Sequence, residues 1–192
     1  MRLSLSLLPV LSALAHAVTF PSCTASQISV LQTAIERATL ASYAAVEHLA
    51  ANPNGSDLQT EWYGTFNAAN HARTLTAFRK FAPDLDTIFS YSCTCVSDAV
   101  VATIGSRYGD VRVCTVFFDT SVVPADGFRS QWATIIHEAT HFDETLDTVD
   151  HGYSPDVCRE IAKRSAKEAF ENADNHSTFA VAAKMLKDKA GS

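Results

Sequence analysis

Beyond its first 17 residues the sequence has no apolar run near the roughly 20 residues needed to cross about 30 Å of hydrocarbon, so no membrane anchor is expected. It also lacks a Lys/Arg patch. Fifteen basic residues face 21 acidic ones for a net charge of −6, a balance that makes nucleic acid an unsuitable partner because little is available to neutralise phosphates. No internal repeat, linker or low-complexity tract divides the 192 residues, and this length fits one domain with a substantial core. Among the five cysteines, Cys93 and Cys95 are separated by a single residue and no second pair follows, which excludes a zinc ribbon.

What is present begins with "MRLSLSLLPVLSALAHA": one positive residue, an apolar run of roughly a dozen, and small residues at Ala15 and Ala17. Residues 1–17 read as a signal peptide cleaved after Ala17, leaving 18–192 as a single domain that is secreted to the extracellular space. In that oxidising setting Cys23, Cys93, Cys95, Cys114 and Cys158 become disulfide candidates with one left over. Asn54-Gly55-Ser56 lies in a polar break and is a plausible glycosylation acceptor. Asn175-His176-Ser177 lies close to the site argued below, and its use is not expected.

Apolar residues recur at Ile28, Leu31, Ile35, Ala38, Ala45 and Leu49, which predicts an amphipathic helix from Ser26 to about Ala51, stopped by "NPNGSD". "TEWYGTFNAANHARTLTAFRKFAPD" predicts a second helical region ending near Pro83. The β-branched and aromatic runs "DTIFSYSCTC" and "DVRVCTVFF" predict strands of a small sheet. A further helix starts near Ser130, and another near Pro155 after a Ser cap, running through "SPDVCREIAKRSAKEAFENAD".

The Ser130 helix carries "HEATH". Positions i and i+4 share a helix face, so His137 and His141 can direct nitrogens at one ion while Glu138 reaches a water on it. About one chain of this composition in a hundred shows such a pattern by chance. The preceding "WATII" supplies an apolar face that would bury the helix in a core. Catalytic zinc normally takes three protein ligands and leaves a position open. Spacing alone leaves Asp147, Asp150 and Glu160 as candidates for the third ligand, although Glu144 occupies the place where an Asp147 geometry needs a turning glycine.

"TVDHGY" after "HEATH" resembles the aspzincin family, whose mark is His-Glu-x-x-His followed by Gly-Thr-x-Asp-x-x-Tyr-Gly: Thr148, Asp150 and Tyr153 keep that spacing. "ENADNHSTFA" is similar to the family's Asn-Ala-Asp-x-Tyr-Glu-x-Phe-Ala, matching at Asn172, Ala173, Asp174, Phe179 and Ala180. "EWYGTF", "YSCTC" and "VCTVFF" resemble family blocks in the same order, so the similarity spans nearly all of residues 18–192. The resemblance implies an α+β zincin-type fold, mostly helical with a small antiparallel-containing sheet. It implies one Zn2+ held by His137, His141 and Asp150, with Glu138 as general base and Tyr153 as donor to the transition state. Asp174 would face Lys or Arg of a protein or peptide substrate on the leaving-group side. Disulfides Cys23–Cys93 and Cys95–Cys114 would leave Cys158 over, and a monomer is expected. The chain departs from the pattern at Asp147 and Ser154, where the family has glycines, and at His176 and Ser177, where it has Tyr and Glu. Those changes keep a second class open: a secreted zinc-binding or effector protein without turnover.

Overall fold

The computed structural model describes residues 17–95 and 99–191; apart from Ala17, the signal-peptide segment lies outside them. Helix α1 (Ala25–Ala51) opens with a capping box in which Thr24 and Gln27 satisfy each other's backbone N–H groups. Its apolar stripe, Leu31, Ala34, Ile35, Ala38, Ala45 and Leu49, is buried against the rest of the core.

The second helical region is two helices, α2 (Asp57–Tyr63) and α3 (Ala68–Asp84). Gly64 separates them at φ 72°, and a Cβ there would lie 2.3 Å from the Ala162 carbonyl oxygen. α3 ends at Asp84, one residue past Pro83, as expected. Strands β1 (Ser90–Cys95), β2 (Val101–Thr103) and β3 (Asp110–Cys114) form one sheet in the order β1-β3-β2, with β1 parallel and β2 antiparallel to β3. β2 was not anticipated. "DVRVCTVFF" is extended only to Cys114, and Thr115–Phe118 turns into a short 3-10 helix.

Helix α4 (Gln131–Thr140) carries the two histidines and is buried along nearly its whole length, packed between α1, α7 and β2. Ser130 caps it by accepting the Ala133 N–H. The helix expected over residues 154–174 is two, α5 (Pro155–Arg164) and α6 (Ala166–Glu171), while α7 (Ala173–Ala190), which begins where that helix was to end, was not anticipated. Ser165 (φ −158°, ψ 103°) and Asn172 (φ −91°, ψ 119°) are extended residues at the two breaks. Ser154 precedes α5 but makes no side-chain cap bond.

Cys23–Cys93 ties the start of α1 to β1, and Cys95–Cys114 ties β1 to the end of β3. Cys158 is free and buried. Among the described residues no helix is long and apolar enough to cross a membrane.

Candidate metal centre

His137 lies in the buried last turn of α4, and His141 is its C-cap residue. Their Nε2 atoms lie 3.1 Å apart. Asp150, on the loop between α4 and α5, brings Oδ1 to 3.2 Å from His137 Nε2 and 3.5 Å from His141 Nε2. Three donors about 2.0–2.2 Å from a tetrahedral zinc are about 3.3 Å from one another, so this triangle fits the ion. An atom from each of His137, Glu138 and His141 also falls within 4.8 Å of the others, but the Glu138 carboxylate is engaged elsewhere: Thr103 Oγ1 donates to its Oε2 at 2.8 Å. Asp150 thus stands where it could complete a three-donor set with the two imidazoles, with Glu138 beside it.

The far side of each imidazole is held. His137 Nδ1 lies 3.2 Å from Asp174 Oδ1, and His141 Nδ1 lies 2.8 Å from the Thr148 carbonyl oxygen. Bonds of this kind fix the tautomer and aim Nε2 at the metal. Thr148 is itself fixed by Thr140, hydroxyl to hydroxyl at 2.8 Å.

Burial opposes a charge on His137, yet the Asp150 and Asp174 carboxylates outweigh it and raise the imidazole to about 10. Burial also tends to raise Asp150, but the hydrogen bond from His137 brings it down to about 2. Metal uptake must displace the His137 proton, because only neutral imidazole ligates. Tyr153 lies over the His137 ring, with centroids 5.9 Å apart and planes at 23°. Burial and its hydrogen bond to Asp150 lift the phenol to about 12, so it remains a donor at neutral pH.

Asp174 stands in the first turn of α7 rather than at a helix end. Oδ2 accepts the Ser154 N–H at 2.8 Å while Oδ1 faces His137, and the same side chain lines the cleft. That cleft, about 390 Å³, joins Glu138, Asp150 and Tyr153 to an apolar wall that includes Val101, Val123 and Phe128. The other two ligand candidates are elsewhere: Asp147 lines a separate groove with Arg73 and Phe170, and Glu160 is exposed on α5.

The two non-glycine departures sit at positive φ, Asp147 at 53° and Ser154 at 84°. The loop keeps a glycine-like backbone without the glycines. Gly152 gives the loop room, since a Cβ there would lie 2.5 Å from Val157 Cγ1. His176 is fully buried, between Tyr63 and the Phe170 carbonyl, and is no rim residue. Asn175 is also fully buried with its amide bonded, so its sequon is closed in the folded chain. Thr103 and the loop-holding role of Asn172 were missed; Asn172 stood inside a matched motif, whereas Thr103 had no signal.

Comparison with known proteins gives the family. The aspzincin family, whose description is lysine-specific metallo-endopeptidase, matches residues 48–181. A peptidyl-Lys metalloendopeptidase of Pleurotus ostreatus is 28% identical over 84% of this chain and 95% of its own length. One of Armillaria mellea is 27% identical over 88% of this chain, and an extracellular protease of Aeromonas hydrophila is 29% identical over 82%. The matched region is about half the length of the latter two, 48% and 45%. The solved zinc peptidase from Grifola frondosa superposes with a TM-score of 0.76 at 26% identity, covering 83% of this chain and 96% of that one. The family match covers more than half of the chain and the fold agrees with it, and the chain belongs to the aspzincin family of zinc metallo-endopeptidases.

Proposed function

We propose that this chain is a secreted zinc endopeptidase whose ion is held by His137, His141 and Asp150. The observation that carries the reading is the convergence of those three donors, 3.1 to 3.5 Å apart, on a cleft that also presents Glu138 and Tyr153. Zinc bound there supplies Lewis acidity to water and to the scissile carbonyl. Glu138 takes the proton from the attacking water and passes it to the departing amine. Thr103 keeps the Glu138 carboxylate aimed. The Tyr153 phenol donates to the carbonyl oxygen as negative charge develops. The apolar wall of the cleft excludes water from the bond being cut.

We propose further a bias towards Lys or Arg on the leaving-group side. Asp174 lies in the cleft wall, and the relatives from Armillaria and Pleurotus are named for peptidyl-Lys cleavage. Ser177 stands in place of the family's Glu, so the preference is for basic side chains in general rather than for Lys alone. Secretion is supported by the leader-like residues 1–17 and by the extracellular Aeromonas relative.

The test is casein hydrolysis by the zinc-loaded mature chain beside Glu138→Gln, with zinc content measured on both. Cleavage by the wild type and none by a variant that keeps its zinc supports the proposal. Zinc in both and cleavage by neither assigns the chain to metal binding without turnover.

A further inference from the structure

Asp150 is carried on a loop between α4 and α5. Residues 147 and 154 within it sit at φ 53° and 84° without being glycine, in regions that residues with a side chain rarely occupy. Such a backbone persists only where its surroundings impose it.

The surroundings are the elbow between α6 and α7. Val149 is laddered to it, with Val149 N–H donating to the Glu171 carbonyl at 2.8 Å and Ala173 N–H to the Val149 carbonyl at 3.0 Å. On the other side of Asp150 the Asn172 side chain takes over. Its Oδ1 accepts the His151 and Gly152 N–H groups at 2.8 and 3.2 Å, and its Nδ2 donates to the Gly152 carbonyl at 3.0 Å. Two backbone donors require the oxygen on that side, which fixes the orientation of the amide.

Asn172 is fully buried and is held in turn. Nδ2 also donates to Asn175 Oδ1 at 2.7 Å, and Asn175 Nδ2 donates to the Trp62 and Cys158 carbonyls at 2.6 and 3.0 Å. The anchor therefore reaches α2 and α5. An aspartate at 172 could accept the two N–H groups but could not donate to Gly152, an alanine could do neither, and glutamine would place the amide one methylene too far out.

We infer that Asn172 is the positioning residue for the third metal ligand, holding residues 151 and 152 so that Asp150 stands in place before the ion arrives. The inference rests on Asp150 being a ligand. Residues that orient metal ligands from behind typically change affinity 10- to 100-fold when removed, and a shift of that size in zinc Kd is expected for Asn172→Ala.

The experiment is a competition titration of zinc against a chelator on four proteins: wild type, Asn172→Ala, Asp150→Ala and the double variant. If Asn172 acts through Asp150, its removal weakens zinc binding in the wild type and changes Kd less than about threefold once Asp150 is gone. Equal losses in both backgrounds overturn the inference, since they describe general damage to the fold. An Asp150→Ala protein that binds zinc as the wild type does overturns instead the ligand assignment beneath it. Amide hydrogen exchange on the metal-free wild type needs no variant. Slow exchange at His151 and Gly152 is expected, and exchange that is fast without zinc and slow with it overturns the inference.

Discussion

Asp174 Oδ1 lies 3.2 Å from His137 Nδ1, on the side of the imidazole away from the metal position. The carboxylate's other oxygen accepts the Ser154 N–H at 2.8 Å, so one side chain ties His137 on α4 to the end of the loop that carries Asp150, two of the proposed ligands. Asp174→Asn keeps an oxygen for Ser154 but removes the charge that draws the His137 proton to Nδ1. Zinc Kd should rise 10- to 100-fold, read by chelator competition; a change under twofold would reject the orienting role. At saturating zinc, a lower ratio of Lys to Leu peptide cleavage would show separately that the same carboxylate meets the substrate.

Ser154 occupies φ 84°, ψ 152°, a region populated essentially by glycine, and its side chain makes no cap bond. Ser154→Gly should remove about 1–3 kcal/mol of strain, offset by about 0.5–1 kcal/mol of extra unfolded-chain entropy. The net is stabilisation, seen as a Tm higher by a few degrees. Asp147→Gly should gain less, because aspartate tolerates the left-handed region better. Gly152→Ala should destabilise, since its Cβ would meet Val157 Cγ1. A Ser154→Gly protein that melts below the wild type would mean that the serine is not strained.

α1 was legible because its buried face follows the helical period, α4 because an apolar run follows a Ser cap, and the spacing of His137, Glu138 and His141 because i, i+4 is a local fact. The third ligand was not legible from spacing. Spacing counted against Asp147, where Glu144 replaces a turning glycine, without deciding among Asp147, Asp150 and Glu160, and only the resemblance to a known motif singled out Asp150 as the candidate. The breaks at Gly64, Ser165 and Asn172 were hidden because the windows around them are helix-forming, and what breaks them is tertiary: the close approach of the Ala162 carbonyl at Gly64, and at Asn172 a backbone bridge to Val149. β2 escaped because three residues are too short a run to show a period.

His176 is a buried neutral histidine, with Nδ1 2.9 Å from the Tyr63 hydroxyl and Nε2 2.7 Å from the Phe170 carbonyl oxygen. Burial presses it from 6.5 to about 4. Between those values the unfolded chain binds the proton and the folded chain does not, so stability is complete above about pH 6.5 and falls as pH drops towards 4. The loss is on the order of 3 kcal/mol. Denaturant unfolding at several pH values on wild type and His176→Gln checks this, the variant showing a flatter dependence across the window whatever its absolute stability. Parallel curves would exclude His176 as the source.

Thr103 Oγ1 donates to Glu138 Oε2 at 2.8 Å across 35 residues of sequence, from the short strand β2 to the buried face of α4. Glu138 itself is buried, and this hydroxyl limits which way its carboxylate can turn. Thr103→Val keeps the shape and removes the donor. Loss of one hydrogen bond to a charged group is worth about 1.5–3 kcal/mol, so kcat should fall by about one to two orders of magnitude. KM and zinc content should stay near the wild-type values, because Thr103 is neither among the ligands nor in the apolar wall of the cleft. Thr103→Ser restores the hydroxyl and should recover most of the rate. A valine variant that loses zinc, or a serine variant as slow as the valine, would show that Thr103 supports the sheet instead of the base.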